Sequence, residues 1–133
     1  MSDAAGPGRC VVMVVEDDPD NLDSIVELLE DEGYEVLAAR SGEEATEQLT
    51  RVRPQVLISD YLLPDMTGAE LVTRLQRGAG PPIPVVFLTG MQRPAQVGDA
   101  LVLNKPVVLD DLLGALRQYS AAAPCGENAA APG

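Results

Sequence analysis

The sequence contains no histidine. That absence excludes histidine-based general acid–base catalysis, and most hydrolase chemistry with it. Any phosphohistidine step would belong to a partner. Cysteine is nearly as scarce: Cys10 opens an apolar run, Cys125 sits in an Ala/Pro/Gly-rich terminal stretch, and no Cys or His cluster surrounds either. Neither a disulfide nor a zinc site is expected. Basic residues are also few, 9 against 21 acidic ones, for a formal charge of −12. Such a chain repels phosphate backbones and anionic bilayers, so direct contact with nucleic acid or membrane is not expected. No run approaches the ~20 apolar residues of a membrane span, and the N-terminus lacks the basic-then-apolar order of a secretory signal. A cytoplasmic location is the expectation. At 133 residues the chain fits one domain with a real hydrophobic core and no separate output domain.

What is present is a regular alternation of two hydrophobic periods. Apolar runs without polar interruption occur at 11–15, 56–58, 85–88 and 101–103, with 36–38 a weaker fifth. That is the pattern of strands covered on both faces. Between them, Leu22, Ile25, Val26 and Leu29, and later Leu109, Leu112, Leu113 and Leu116, follow helical spacing. Ala45, Leu49 and Val52, then Leu71, Val72 and Leu75, mark two more helices. Asp18 before Pro19 reads as an N-cap, Ser41-Gly42-Glu43-Glu44 as a capping box, and Gly33 as the stop of the first helix. Strands and helices joined by short loops predict right-handed parallel crossovers and a doubly wound α/β fold. The last crossover is too short for the pattern. Between Thr89 and Lys105, after the strand is allowed for, about ten residues remain, fewer than an average helix and its loops require. A shortened or missing fourth helix is expected there. The folded domain is placed at 9–120, with a disordered N-terminus at 1–8 and a disordered tail at 121–133.

Polar residues interrupt the apolar runs at strand ends. Glu16, Asp17 and Asp18 follow the first strand, Asp60 ends the third, Thr89 ends the fourth and Lys105 follows the fifth. A doubly wound sheet brings those ends to one edge, where such folds bind ligands. Two carboxylates about 4 Å apart repel by ~4 kcal/mol at an effective dielectric near 20, so a compensating cation is required. Mg²⁺ suits such an oxygen site. Lys105 and the Thr89 hydroxyl offer contacts for phosphoryl oxygens, and a carboxylate so surrounded becomes a nucleophile toward phosphorus. Taken singly these residues have plainer explanations. Asp18 is better read as a helix cap than a ligand, Asp60 alone could be a turn residue, and Lys105 before Pro106 could be a solvated charge. Their joint occurrence at four strand ends favours a site.

Val-Val-Glu-Asp-Asp-Pro at 14–19, Ser-Asp-Tyr-Leu-Leu-Pro-Asp-Met-Thr-Gly at 59–68, Phe-Leu-Thr-Gly at 87–90 and Asn-Lys-Pro at 104–106 resemble, in that order, the response-regulator receiver domains of two-component signalling. The resemblance covers roughly residues 10–119. It implies a flavodoxin-like five-stranded parallel sheet of order 2-1-3-4-5. It implies that Asp60 is the phosphoacceptor, with Thr89 and Lys105 contacting the phosphoryl group and Lys105–Pro106 in the cis form. Mg²⁺ would be held by Glu16, Asp17, Asp60 and the Leu62 backbone carbonyl. The implied function is a stand-alone phosphoacceptor in a phosphorelay, fed by a histidine kinase or histidine phosphotransfer protein, that signals to a protein target by changing shape. It is not expected to be an enzyme beyond acting on itself.

Three departures from the family pattern stand out. Val102 stands where an aromatic residue usually reorients on activation. The short last crossover resembles a subgroup with a Phe-x-Thr-Gly signature. Leu62 and Met91 occupy places that usually orient the hydrolytic water, which predicts slow self-dephosphorylation. Two other functions compete: a pseudo-receiver that only binds protein, and an aspartate-nucleophile phosphatase. The second would resemble a pattern with another acid two residues after the nucleophile, where this chain has Leu62.

Overall fold

Valine- and isoleucine-rich runs favour extended backbone because branched side chains fill a pleated surface well. In the computed structural model, which describes residues 10–77, 82–90 and 100–122, these runs form β1 (Val11–Val15), β2 (Glu35–Ala39), β3 (Val56–Asp60), β4 (Val85–Thr89) and β5 (Leu101–Asn104). All pairings are parallel, in the order β2-β1-β3-β4-β5. This is the expected flavodoxin-like sheet. Val14 lies between Ala38 and Ile58, and Val86 between Ile58 and Leu101, so branched and long side chains run across the sheet in register.

Four helices, α1 (Pro19–Asp31), α2 (Gly42–Leu49), α3 (Gly68–Leu75) and α4 (Leu109–Ala122), occur among the described residues. Each of the first three starts at a side-chain cap. The Asp18 carboxylate accepts from the Asp20 amide at 3.1 Å, Ser41 Oγ from the Glu44 amide at 3.1 Å, and Thr67 Oγ1 from the Glu70 amide at 3.1 Å. The return arm of the box at Ser41 reaches one residue further back than expected, Glu44 accepting from the Arg40 amide at 2.8 Å. Gly33, at φ 96°, lets the chain leave α1 through the left-handed region.

The helices cover the sheet in two layers. On one face Val12, Val14, Ile58, Val86 and Leu88 meet Leu22, Ile25 and Leu29 of α1 and Leu112 and Leu116 of α4. On the other, Met13, Val15, Leu57 and Phe87 meet Ala45 of α2 and Leu71 and Leu75 of α3. Each such side chain is worth roughly 1.5–3 kcal/mol of burial. Tyr119 on α4 adds a polar clamp, its hydroxyl donating to the Val85 carbonyl at 3.0 Å and accepting from the Leu101 amide at 3.3 Å. No described helix is long and apolar enough to cross a membrane.

Several expectations are corrected here. Val52 was placed on the apolar stripe of α2, but that helix stops at Leu49 and Val52 is 40% exposed. Pro54 cannot continue the helix, because it lacks an amide hydrogen and its ring would meet the carbonyl four residues back, at Thr50. β5 packs against both layers, through Leu101 and Leu103 on one face and Val102 on the other, but is only half-buried because it is an edge strand. α4 runs two residues past the expected end of the folded domain at 120. Cys10, expected to be unpaired, is disulfide-bonded. Composition and spacing say little about pairing, which distance in the fold decides. The expected short fourth helix, with Met91, falls on residues 91–99, outside the described residues, as do the expected disordered ends at 1–8 and from 123 onward.

Candidate functional site

Parallel pairing carries every strand end to one edge, and the ladder continues slightly past the strands. The Glu16 amide donates to the Ala39 carbonyl at 3.0 Å, and the Lys105 amide to the Thr89 carbonyl at 2.8 Å. The polar residues are therefore mounted on rigid backbone. Glu16, Asp60 and Thr89 are 0%, 2% and 4% exposed. Beneath Asp60, Gly68 starts α3 at very close range: a Cβ there would stand 2.6 Å from the Phe87 ring and 2.8 Å from the Asp60 carbonyl oxygen. The Gly68 amide donates to the Tyr61 carbonyl at 2.5 Å, and Tyr61 packs edge-on to Phe87 with ring centroids 5.3 Å apart. The Lys105–Pro106 bond is cis.

Glu16, Asp17 and Asp60 each bring one carboxylate oxygen within 4.8 Å of the others. Lys105 Nζ lies 2.7 Å from Asp60 Oδ1 and 3.3 Å from Glu16 Oε1. Those two oxygens are buried and accept no well-aligned hydrogen bond, so the ammonium is their counter-charge among the described residues. The remaining oxygens receive backbone donors: Glu16 Oε2 accepts from the Asp18 amide at 3.0 Å, and Asp60 Oδ2 from the Asp17 amide at 3.4 Å. Burial, reinforced by Glu16 and opposed by Lys105, pushes the Asp60 carboxyl up to about 7. For Lys105 burial acts downward, but the Asp60 and Glu16 carboxylates outweigh it and raise its pKa.

The structure brings together Glu16, Asp17, Asp60 and Lys105, with Thr89 at the adjacent strand end opposite Asn104. Asp18 instead caps α1. Leu62 lies in the loop after β3 with its side chain 59% exposed, and Val102 is half-buried against the α2–α3 layer. A cavity of about 290 Å³ opens beside Glu16 and Lys105, walled by Ser24, Ile25, Val107 and Leu109. Sequence reasoning missed Asp65, whose carboxylate accepts from the Gly42 and Glu43 amides at 2.9 and 2.8 Å. Only the adjacency of an acidic loop residue to the first amides of α2 hints at it, and that adjacency is spatial. Two buried carboxylates short of donors suit a small hard cation, which prefers oxygen ligands and leaves positions for water and phosphate.

Residues 12–117 match the family described as "Response regulator receiver domain". The chain belongs to that family. It is 37% identical over 120 residues to an uncharacterized 14.6 kDa protein of Leptolyngbya boryana, covering 85% of this chain and 92% of the other. It is 33% identical over 114 residues to the transcriptional regulatory protein CrdR of Helicobacter pylori, covering 81% of this chain but only 54% of that protein. The chain thus spans about half of that longer relative. Among solved structures, the chemotaxis response regulator CheY4 of Vibrio cholerae superposes with a TM-score of 0.71 at 28% identity, covering 84% of this chain and 98% of that one.

Proposed function

We propose that this receiver accepts a phosphoryl group on Asp60 from a partner's phosphohistidine, in a Mg²⁺-dependent reaction, and signals through the change of shape that follows. The observation that carries the proposal is the convergence of buried Asp60 and Glu16 with Lys105 and exposed Asp17 at one sheet edge. Glu16, Asp17, Asp60 and the Leu62 carbonyl would hold the ion. Once bound, Mg²⁺ would neutralise charge that develops on the transferring group.

The chain's own residues supply the rest. An Asp60 carboxylate oxygen attacks phosphorus, a P–O bond forms, and the P–N bond to the partner's imidazole breaks, with that ring keeping the electron pair and taking up a proton. Lys105 leaves its ion pairs to contact a phosphoryl oxygen as a point charge, and Thr89 donates its hydroxyl to another. The added charge biases a pre-existing equilibrium of the sheet edge. Near-complete coverage of the 14.6 kDa Leptolyngbya protein supports a receiver that works alone; a protein target and a cytoplasmic location belong to the proposal. Chemistry beyond its own phosphorylation and slow dephosphorylation is not part of the proposal.

Intact mass after incubation with a small-molecule phosphodonor and Mg²⁺ tests it. A gain of one phosphoryl group is expected in the native chain, and none in Asp60→Asn or with a chelator. An unmodified native chain that also fails to bind Mg²⁺ would favour the pseudo-receiver.

A further inference from the structure

The loop between β3 and α3 stands out from the sheet edge as a small hairpin. Leu62 and Thr67 form an isolated antiparallel bridge, and the Leu63 amide donates to the Met66 carbonyl at 2.9 Å. Its base is fixed, since Tyr61 donates to the Leu88 carbonyl at 2.8 Å and accepts from Gly68. Its tip has a different support. Among the described residues, the hydrogen bonds that join positions 62–66 to another element are the two that Asp65 accepts from the first amides of α2. Beside them Met66 fills the space where a side chain on Gly42 would stand.

Helix α2 is a firm post for such a tether. Ala45 is fully buried, and Gln48 Nε2 donates to the Ala38 carbonyl of β2 at 2.8 Å. Ser41 Oγ already serves the Glu44 amide, so Asp65 and Ser41 together satisfy the first three amides of the helix. Bonds from two amides to one carboxylate, at the positive end of a helix, are charge-assisted and directional. Slight burial acts upward on the Asp65 carboxyl, but the Gly42 and Glu43 amides outweigh it and hold it below the usual carboxylate range.

We infer that Asp65 is a positioning residue for the cation site: it ties the hairpin carrying the Leu62 carbonyl to the N-terminus of α2, 22 and 23 residues away in sequence. The inference rests on the proposed role of that carbonyl in holding Mg²⁺. Ser41 differs: it caps the same helix, and its side-chain hydrogen bond among the described residues stays within that helix.

Isothermal titration of the full chain with Mg²⁺, beside hydrogen exchange of the metal-free protein, distinguishes the two roles. Asp65→Ala is expected to weaken Mg²⁺ binding about fivefold or more and to speed exchange at the Leu63 amide by about tenfold. Ser41→Ala is expected to cost similar thermal stability yet leave both quantities within about twofold. Asp65→Asn, which keeps one acceptor oxygen at equal volume, should fall between, and it stands in if Asp65→Ala does not fold. Native Mg²⁺ affinity and native Leu63 exchange in the Asp65 variant, or equal effects from Ser41→Ala, would overturn the inference. A wild type that does not bind Mg²⁺ while Asp65→Ala still loosens the hairpin would instead remove the metal role and leave the tether standing.

Discussion

The middles and the ends of the same strands obey opposite rules. At Val14, Ile58 and Val86 the side chains are apolar, wholly buried and matched by shape, and nothing is left to satisfy. A few residues along the same chains, Glu16 and Asp60 are equally buried, yet each holds an oxygen without a well-aligned donor and shares one lysine with the other. Stability therefore lives in the middles. The ends tolerate unfavourable electrostatics because the rigid ladders beneath them allow no relaxation, which is also what holds a binding geometry in place.

The contrast is sharpest in the response to removing a side chain. Phe87→Ala, a strand-middle change, is expected to cost about 3–5 kcal/mol in urea unfolding, since the ring fills the space between Gly68 and Tyr61. Asp60→Asn, at a strand end, is expected to do the reverse in metal-free buffer. The Asp60 carboxyl titrates at 3.8 in the ordinary case and at about 7 when folded. Between those values folding takes up a proton, so wild-type stability falls as pH rises from about 4 to about 7 and is level above. Asparagine has no such proton. Its advantage should grow from near zero at acid pH to about 2 kcal/mol at pH 8, taking part of the ~1.4 kcal/mol that each pKa unit represents. Thermal unfolding across pH with a chelator checks this, and parallel curves for the two proteins would break the contrast. The smallest effect belongs to the rim. Leu62→Asn with Met91→Glu should hasten loss of the phosphoryl group about fivefold, roughly 1 kcal/mol in the barrier, with folding stability within about 0.5 kcal/mol.

The same contrast explains what was legible in the sequence. Strand middles announce themselves as apolar runs, and the polar residues that end them mark the site, so Glu16, Asp17, Asp60, Thr89 and Lys105 were all found as candidates before any geometry. Caps at Asp18 and Ser41 were legible because they act within a few residues. What escaped depends on distance through space. Lys105 bridging both Glu16 and Asp60, Tyr119 clamping two strands, and Asp65 reaching α2 join residues 18 to 89 positions apart. The end of α2 is hard to read because Val52 continues the helical period past Leu49, where the helix ends ahead of Pro54.

The contact between Gly42 and Met66 also bears on how this protein can change over generations. A side chain on Gly42 would stand where the Met66 thioether lies, so growth at 42 requires the Met66 side chain to move or shrink. A larger residue at 42 is admitted when the flexible Met66 side chain swings aside or is made smaller, whereas a smaller residue at 66 leaves a void and no clash. The start of α2 and the hairpin thus constrain each other in one direction, through a single flexible side chain.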